Sequence, residues 1–104
     1  MRLRITPEAD REVKDHAEYL WRESEELGRR FLRRAYATFD RLTESPTLGE
    51  RLDSPRRKAV GVRRWRVDQF TNHLILYRAD RDVLLILRVV HSASDWAWEF
   101  GVSE

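Results

Sequence analysis

Residues 62–91 read VRRWRVDQFTNHLILYRADRDVLLILRVVH, and this stretch decides the fold that the sequence predicts. Turn-like breaks divide it into three segments rich in Val, Ile, Leu, Trp and Tyr, which are typical strand residues. The predicted strands are 62–67, about 73–79 and 83–91, joined by residues 68–72 and 80–82. Because both connections are short, consecutive strands should pair antiparallel as a three-stranded meander. An arginine in every segment suggests one buried face and one exposed working face.

Successive side chains of a strand point to opposite faces, so their spacing sorts the residues of this sheet. The sets expected on common faces are Arg63, Trp65 and Val67; Arg64 and Arg66; Leu74, Leu76 and Arg78; and Ile86, Arg88 and Val90. Which of these sets lie on the same side of the sheet depends on the strand register, which the sequence leaves open.

The chain before the meander predicts a short strand and a helical hairpin that cover the sheet. Residues 2–5 alternate charged and apolar side chains, as a strand does. Thr6-Pro7-Glu8 starts a helix that should run to about Arg22, because Thr can cap a free N–H and Pro tolerates the first helical position. Ser24-Glu25-Glu26 repeats this signal and predicts a second helix to about Glu44. The short connection makes the two helices antiparallel.

Two segments lack a clear period. Residues 45–61 contain Pro46, Gly49, Pro55 and Gly61 and predict the longest loop, with Leu48 and Leu52 tucked against the helices. Residues 96–100 read WAWEF and alternate aromatic with other side chains. This tail predicts either a final short strand whose edge could hold a partner or a segment folded back on the core.

Length and composition predict one domain, residues 1–104, of α+β class with the element order β-α-α-β-β-β. The chain has no cysteine, which excludes disulfides and thiolate metal sites. Asp80 and Asp82 are ordinary turn residues, so we expect no metal site and no cofactor. The longest apolar run, from Val83 to Leu87, is too short to cross a bilayer, so we expect a cytoplasmic protein without a membrane partner.

The formal net charge of +2 hides a cluster of cations. Between Pro55 and Val67 there is no carboxylate and there are six cations: Arg56, Arg57, Lys58, Arg63, Arg64 and Arg66. Such a cluster either binds an anionic partner or forms a solvated face. One hypothesis is therefore a basic nucleic-acid-binding module, which would bind DNA or RNA with a steep salt dependence.

The order strand, helical hairpin, loop and meander resembles the RelE/ParE superfamily of bacterial type II toxins, and most closely its ParE branch. The resemblance rests on the opening LRITPEA at residues 3–9, on Tyr77-Arg78, and on LRVVH at 87–91 followed by Asp95. It implies a toxin that stops growth by binding and poisoning DNA gyrase and that a cognate antitoxin neutralises in a hetero-oligomeric complex. Ser94 departs from the ParE pattern, in which an arginine commonly precedes the aspartate.

The resemblance leaves open a second mechanism, a RelE-like ribosome-dependent mRNA endonuclease that works without metal. Such an enzyme needs cations and a proton carrier, and the candidates are Arg64, Arg66, Tyr77, Arg78, Arg88 and His91, with His73 as a further proton carrier. RelE-like enzymes typically place a tyrosine or a basic residue near the C-terminus. Neither follows His91 here, which weakens this hypothesis.

A gyrase inhibitor needs no catalytic residues, only an arginine-bearing surface with some exposed apolar groups. We therefore favour a ParE-like toxin that is not an enzyme. The candidate target-binding residues are Arg63, Arg64, Arg66, Arg78, Arg88 and Trp96.

Overall fold

The computed structural model describes residues 1–102. Its elements are β1 (Arg2–Ile5), α1 (Pro7–Trp21), α2 (Glu25–Glu44), β2 (Glu50–Arg51), a 3-10 helix (Arg57–Ala59), β3 (Arg63–Val67), β4 (Phe70–Asp80), β5 (Val83–His91) and α3 (Trp96–Phe100). The predicted α+β class and the order of its main elements are confirmed. The structure adds β2, the 3-10 helix and α3 to that order.

All five strands form one sheet in the order β1-β5-β4-β3-β2. The predicted meander of β3, β4 and β5 is antiparallel, and β1 joins its far edge by pairing in parallel with β5. The helical hairpin packs on one face of the sheet. The core between them includes Val13, Phe31, Phe39, Leu42, Ile75, Tyr77, Leu84, Ile86 and Val89.

Both predicted helix starts are confirmed. The Thr6 hydroxyl accepts a hydrogen bond from the Ala9 N–H at 3.1 Å and donates one to the Leu87 carbonyl at 2.9 Å, so this cap also ties α1 to β5. Ser24 caps α2 in the same way. The two helices cross closely at Gly28, where an added Cβ would lie 2.8 Å from the Ala17 carbonyl oxygen. Only glycine permits that separation.

The opposite face of the sheet is also partly covered, whereas the sequence predicted an exposed working face there. A second apolar cluster lies there and consists of Ala59, Val62, Leu76, Val90, Trp96 and Phe100. Leu52 packs against this cluster, so its predicted position against the helices is wrong, whereas Leu48 does pack on the helix side. The tail folds back as a helix rather than a strand, because Trp96 and Phe100, four residues apart, then share one buried side.

A β-bulge changes the side-chain pattern of β5. Leu76 pairs with Arg88 while Tyr77 pairs with Ile86, which leaves Leu87 as an extra residue. Ile86 therefore joins the helix-side core and Val90 joins the cluster on the other face. The prediction that Ile86, Arg88 and Val90 share a face is wrong for this reason.

β4 is longer and the turns of the meander are tighter than predicted, whereas β5 has the predicted bounds and β3 starts one residue later. β4 begins at Phe70 rather than at about residue 73, so a two-residue turn replaces the predicted connection 68–72. Gln69 and Arg81, one in each turn of the meander, have positive φ angles of 67° and 57°, as tight hairpin turns require. Within residues 1–102, no helix is long and apolar enough to cross a membrane.

Candidate functional site

Arg88 lies at the centre of an ion-pair network that links three elements. Its Nε and Nη2 donate to Glu12 on α1, at 3.0 and 2.8 Å, and its Nη1 donates to Glu99 on α3 at 2.6 Å. Glu8 lies 3.5 Å from Nε. Only 16% of the Arg88 side chain is exposed. In this conformation the guanidinium holds the fold together and offers little surface to a target.

The network shifts the proton affinities of its members. The hydrogen bonds that Arg88 donates to Glu12, followed by those that it donates to Glu99, raise the pKa of Arg88 above its ordinary value. Partial burial works to raise the pKa of Glu99, but the hydrogen bonds and charges of Arg88 and Lys58 outweigh burial and lower this pKa. Both groups therefore stay charged at neutral pH.

A set of contacts that we call the C-terminal clasp holds α3 against residues 54–58. The Ser54 hydroxyl donates to the Phe100 carbonyl at 2.6 Å, and Arg56 Nη1 donates to the Glu99 carbonyl at 3.2 Å. The Lys58 ammonium lies 3.3 Å from the Glu99 carboxylate and 4.7 Å from the centre of the Phe100 ring. These contacts fix the short helix to the face of the sheet.

The two tryptophans of α3 have opposite environments. Trp96, a predicted target-binding residue, is only 3% exposed and lies beneath the Arg64 guanidinium, 5.6 Å from its carbon. Trp98 is 77% exposed, with the Arg56 guanidinium 5.8 Å from its ring centre. Sequence reasoning missed Trp98, because alternation suggested a strand; the four-residue spacing of Trp96 and Phe100 is the signal that indicates a helix.

The remaining candidate arginines divide between the two faces. Arg64, Arg66 and Arg78 share the face that carries α3, since Arg64 pairs with Leu76 and Arg66 with Leu74. Arg63 lies on the helix side, where it donates to the Gly49 carbonyl at 2.7 Å. Arg64 contacts Glu50 at 3.3 Å, and Arg66 is exposed beside Trp65. Arg78 lines a shallow pocket with Lys58, Leu87 and Phe100.

Tyr77, a candidate proton carrier, is fully buried. Its hydroxyl donates to the Pro46 carbonyl and accepts from the Gly49 N–H, both at 2.8 Å. Burial raises the pKa of this phenol. An added Cβ at Gly49 would meet the hydroxyl at 2.6 Å. Tyr77 therefore anchors the loop after α2, because its hydroxyl proton is hydrogen-bonded to a carbonyl of that loop.

Three histidine rings meet edge to face at one end of the sheet. The His73 ring centre lies 4.8 Å from that of His16 and 5.3 Å from that of His91. Burial, with some help from the other two rings, lowers the pKa of His73 to about 4. His91 is exposed, and its Nδ1 accepts a hydrogen bond from the Ala93 N–H at 3.0 Å. No group of three or more His, Asp or Glu side chains within residues 1–102 could hold a metal ion.

The candidate catalytic residues of the nuclease hypothesis are thus not assembled into one site. Tyr77 faces the helix-side core, Arg88 lies within a carboxylate network, and Arg64, Arg66 and Arg78 lie on the α3 face. His91 stands at the end of the sheet, beside His73. What the α3 face does present is exposed cations and one exposed indole, a combination that suits binding rather than proton transfer.

Comparisons with known proteins gave a match to a family profile and a match to solved structures. A family profile described as ParE toxin of type II toxin-antitoxin system, parDE, matches residues 3–96. No curated protein sequence matches the chain. Among solved structures, a chain of the chromosomal ParDE TA system from P. aeruginosa superimposes with a TM-score of 0.70 and 17% sequence identity, over 88% of this chain and 95% of that chain. At that identity the likeness shows a shared fold.

Proposed function

The chain belongs to the ParE toxin family of type II toxin–antitoxin systems, and we propose that it stops bacterial growth by binding and poisoning DNA gyrase. The match covers most of the chain, from residue 3 to residue 96, so it includes the hairpin, the sheet and the start of α3. Gyrase acts on the chromosome, and the same proposal places the toxin in the cytoplasm.

A cognate antitoxin is the second partner in this proposal. The similar structure from P. aeruginosa is described as a toxin–antitoxin system, which supports such a partner for this chain. We expect the two proteins to form a hetero-oligomer in which the antitoxin neutralises the toxin. Growth of cells that make both proteins should then be normal.

A binding mechanism is supported because two candidate catalytic groups, the Tyr77 hydroxyl and the Arg88 guanidinium, are already bound to other residues of the fold. The Tyr77 hydroxyl is buried and makes two hydrogen bonds, and the Arg88 guanidinium is held by Glu12 and Glu99. A nuclease would need such groups free to reach a phosphate and a leaving oxygen. A gyrase inhibitor needs only the exposed surface, so we propose that the protein is not an enzyme.

The test is induced expression in a bacterial host, with and without the protein encoded beside the toxin gene. We expect growth arrest with DNA damage and intact message, and purified toxin should inhibit supercoiling by purified DNA gyrase. Cleavage of message in translating ribosomes, with supercoiling unaffected, would instead establish the RelE-like nuclease. Arrest that the neighbouring protein does not relieve would contradict the antitoxin part of the proposal.

A further inference from the structure

We propose that Trp98, Arg56 and Arg57 form a surface, here called the Trp98 platform, that grips an acidic patch on the target protein. The platform lies on the outer side of the C-terminal clasp, away from the sheet. This inference rests on the proposed function, because it names the surface through which the toxin would hold gyrase. It assigns to the target a carboxylate-rich surface with an apolar recess for one indole.

The exposure of Trp98 is not needed for folding. α3 is already anchored by Trp96 and Phe100, which are 3% and 4% exposed, whereas Trp98 is 77% exposed. Tryptophan and arginine are the residues most enriched among those that dominate binding energy at protein interfaces. An indole that points into water beside a guanidinium therefore has the composition of an interface anchor.

Contacts with the end of α3 hold the Arg56 side chain of the platform in place. The Arg56 side chain packs over Gly101, where an added Cβ would lie 2.6 Å from its Nε, and it also donates to the Glu99 carbonyl. Gly101 has a φ of 71°, a left-handed conformation that ends α3 beneath this side chain. A surface that is ordered before binding loses less conformational entropy when a partner arrives.

The charge of the platform favours an acidic partner. Arg56 uses one nitrogen on a main-chain carbonyl, and neither Arg56 nor Arg57 forms an ion pair with another residue of the described range 1–102. Both side chains are exposed. Two uncompensated guanidiniums attract carboxylates and can bind them in a bidentate way.

A protein fits this surface better than a nucleic acid does. Asp53 and Asp95 are exposed, and they flank the platform segments in sequence. These carboxylates interrupt the positive field that a continuous phosphate backbone would follow. A single indole beside one guanidinium matches one compact contact on a protein surface more closely than a track for successive bases.

The experiment compares Trp98→Ala with Trp21→Ala. Trp21 is a matched control, since it is 45% exposed and also lies under an arginine, with the Arg29 guanidinium 5.4 Å from its ring, but on the helical hairpin. Affinity for purified DNA gyrase, inhibition of supercoiling and growth arrest would be measured for both variants, with circular dichroism to verify folding. We expect Trp98→Ala to bind gyrase at least about 10-fold more weakly and Trp21→Ala to match the parent protein.

The charge of the target is tested with Arg57→Glu, which should bind gyrase more weakly and with a smaller salt dependence than the parent protein. Equal gyrase binding by folded Trp98→Ala and Trp21→Ala variants would overturn the platform. If the parent protein does not bind gyrase, the proposed function fails independently of the platform. Growth arrest then tests the platform. Loss of arrest in Trp98→Ala but not in Trp21→Ala supports the platform, and any other pattern overturns it. The parent protein would also be tested for binding to a single-stranded DNA or RNA 20-mer. Tight binding that is lost in Trp98→Ala would show that the platform binds a nucleic acid rather than an acidic protein, and would also overturn the proposal.

Discussion

Arg88 on β5 binds both carboxylate oxygens of Glu12 on α1, with Nε donating to Oε1 at 3.0 Å and Nη2 to Oε2 at 2.8 Å. The same Glu12 oxygen, Oε1, accepts the main-chain N–H of Val89 at 3.0 Å. Since Arg88 also binds Glu99, one guanidinium ties the helical hairpin and the C-terminal helix to the same strand. Its removal affects both attachments at once.

We therefore predict that Arg88→Ala lowers the free energy of unfolding by about 2–3 kcal/mol, because it leaves the largely buried Glu12 carboxylate without its charged partner and leaves Glu99 with Lys58 alone. Urea denaturation would measure this loss. Arg30→Ala, on an exposed position of α2, is the control and should change stability by less than about 0.5 kcal/mol. A stable Arg88→Ala protein that has lost toxicity would instead make Arg88 a target contact.

The Tyr77→Phe variant distinguishes a structural role of the Tyr77 hydroxyl from a catalytic one. Removing the hydroxyl leaves the Gly49 N–H without its acceptor and the Pro46 carbonyl without its donor, so we expect a loss of about 1–3 kcal/mol of stability. Tyr19→Phe is the control, since Tyr19 is 68% exposed. If the fold is intact at the assay temperature, growth arrest should persist in Tyr77→Phe. Its disappearance in a folded variant would revive the nuclease hypothesis.

Because the pKa of His73 is lowered in the folded protein, we predict that the free energy of unfolding falls at acid pH. This pKa is lowered from 6.5 to about 4, so the unfolded chain binds the extra proton first as the pH falls. The native state is therefore unaffected by this group above pH 6.5 and loses stability between pH 6.5 and about 4. Because the ring is partly exposed, we expect a loss of only about 1 kcal/mol.

The matched variant for this effect is His73→Phe, which keeps an aromatic ring against Phe31 and Phe70. The difference in unfolding free energy between pH 7.5 and pH 4.5 should be smaller for His73→Phe than for the parent protein. Equal differences would show that His73 titrates normally.

Arg78 tests the cationic face of the sheet independently of Trp98. It shares the shallow pocket beside Lys58 and Phe100, and no ion pair of Arg78 is found within residues 1–102. On the proposed function, Arg78→Glu should slow association with gyrase several-fold at low salt, since like charges would then meet at the interface. Surface plasmon resonance at two salt concentrations would measure this change, with Arg30→Glu as the control. Identical association rates would remove Arg78 from the candidate contacts.

The helices could be predicted closely from the sequence because their signals are local. Thr6 and Ser24 cap the helices as expected, and α2 ends at the predicted Glu44. The meander also followed from residue types and short connections. Local hydrogen-bonding chemistry determines these features, so each is visible within a few residues of chain.

The candidate site was less predictable because it depends on contacts between distant segments. The bulge at Leu87 reverses the side-chain alternation after Ile86, and only the pairing with β4 reveals it. Arg88 looked like a surface cation, yet its partners lie on α1 and α3. Trp96 was predicted to bind the target, but it belongs to a buried cluster on the second face of the sheet, and Trp98 is the exposed tryptophan of α3.

The parallel pairing of β1 with β5 joins the first strand of the chain to the last, and this has a consequence for protein synthesis. A ribosome releases β1 and the helical hairpin well before β5, so the apolar stripe of the helices has no sheet to cover it while translation continues. We expect chains truncated before Val83 to be sensitive to protease and non-toxic, which pulse proteolysis of stalled ribosome complexes would show. On the proposed function, each new toxin molecule therefore stays inactive until its final strand has left the ribosome.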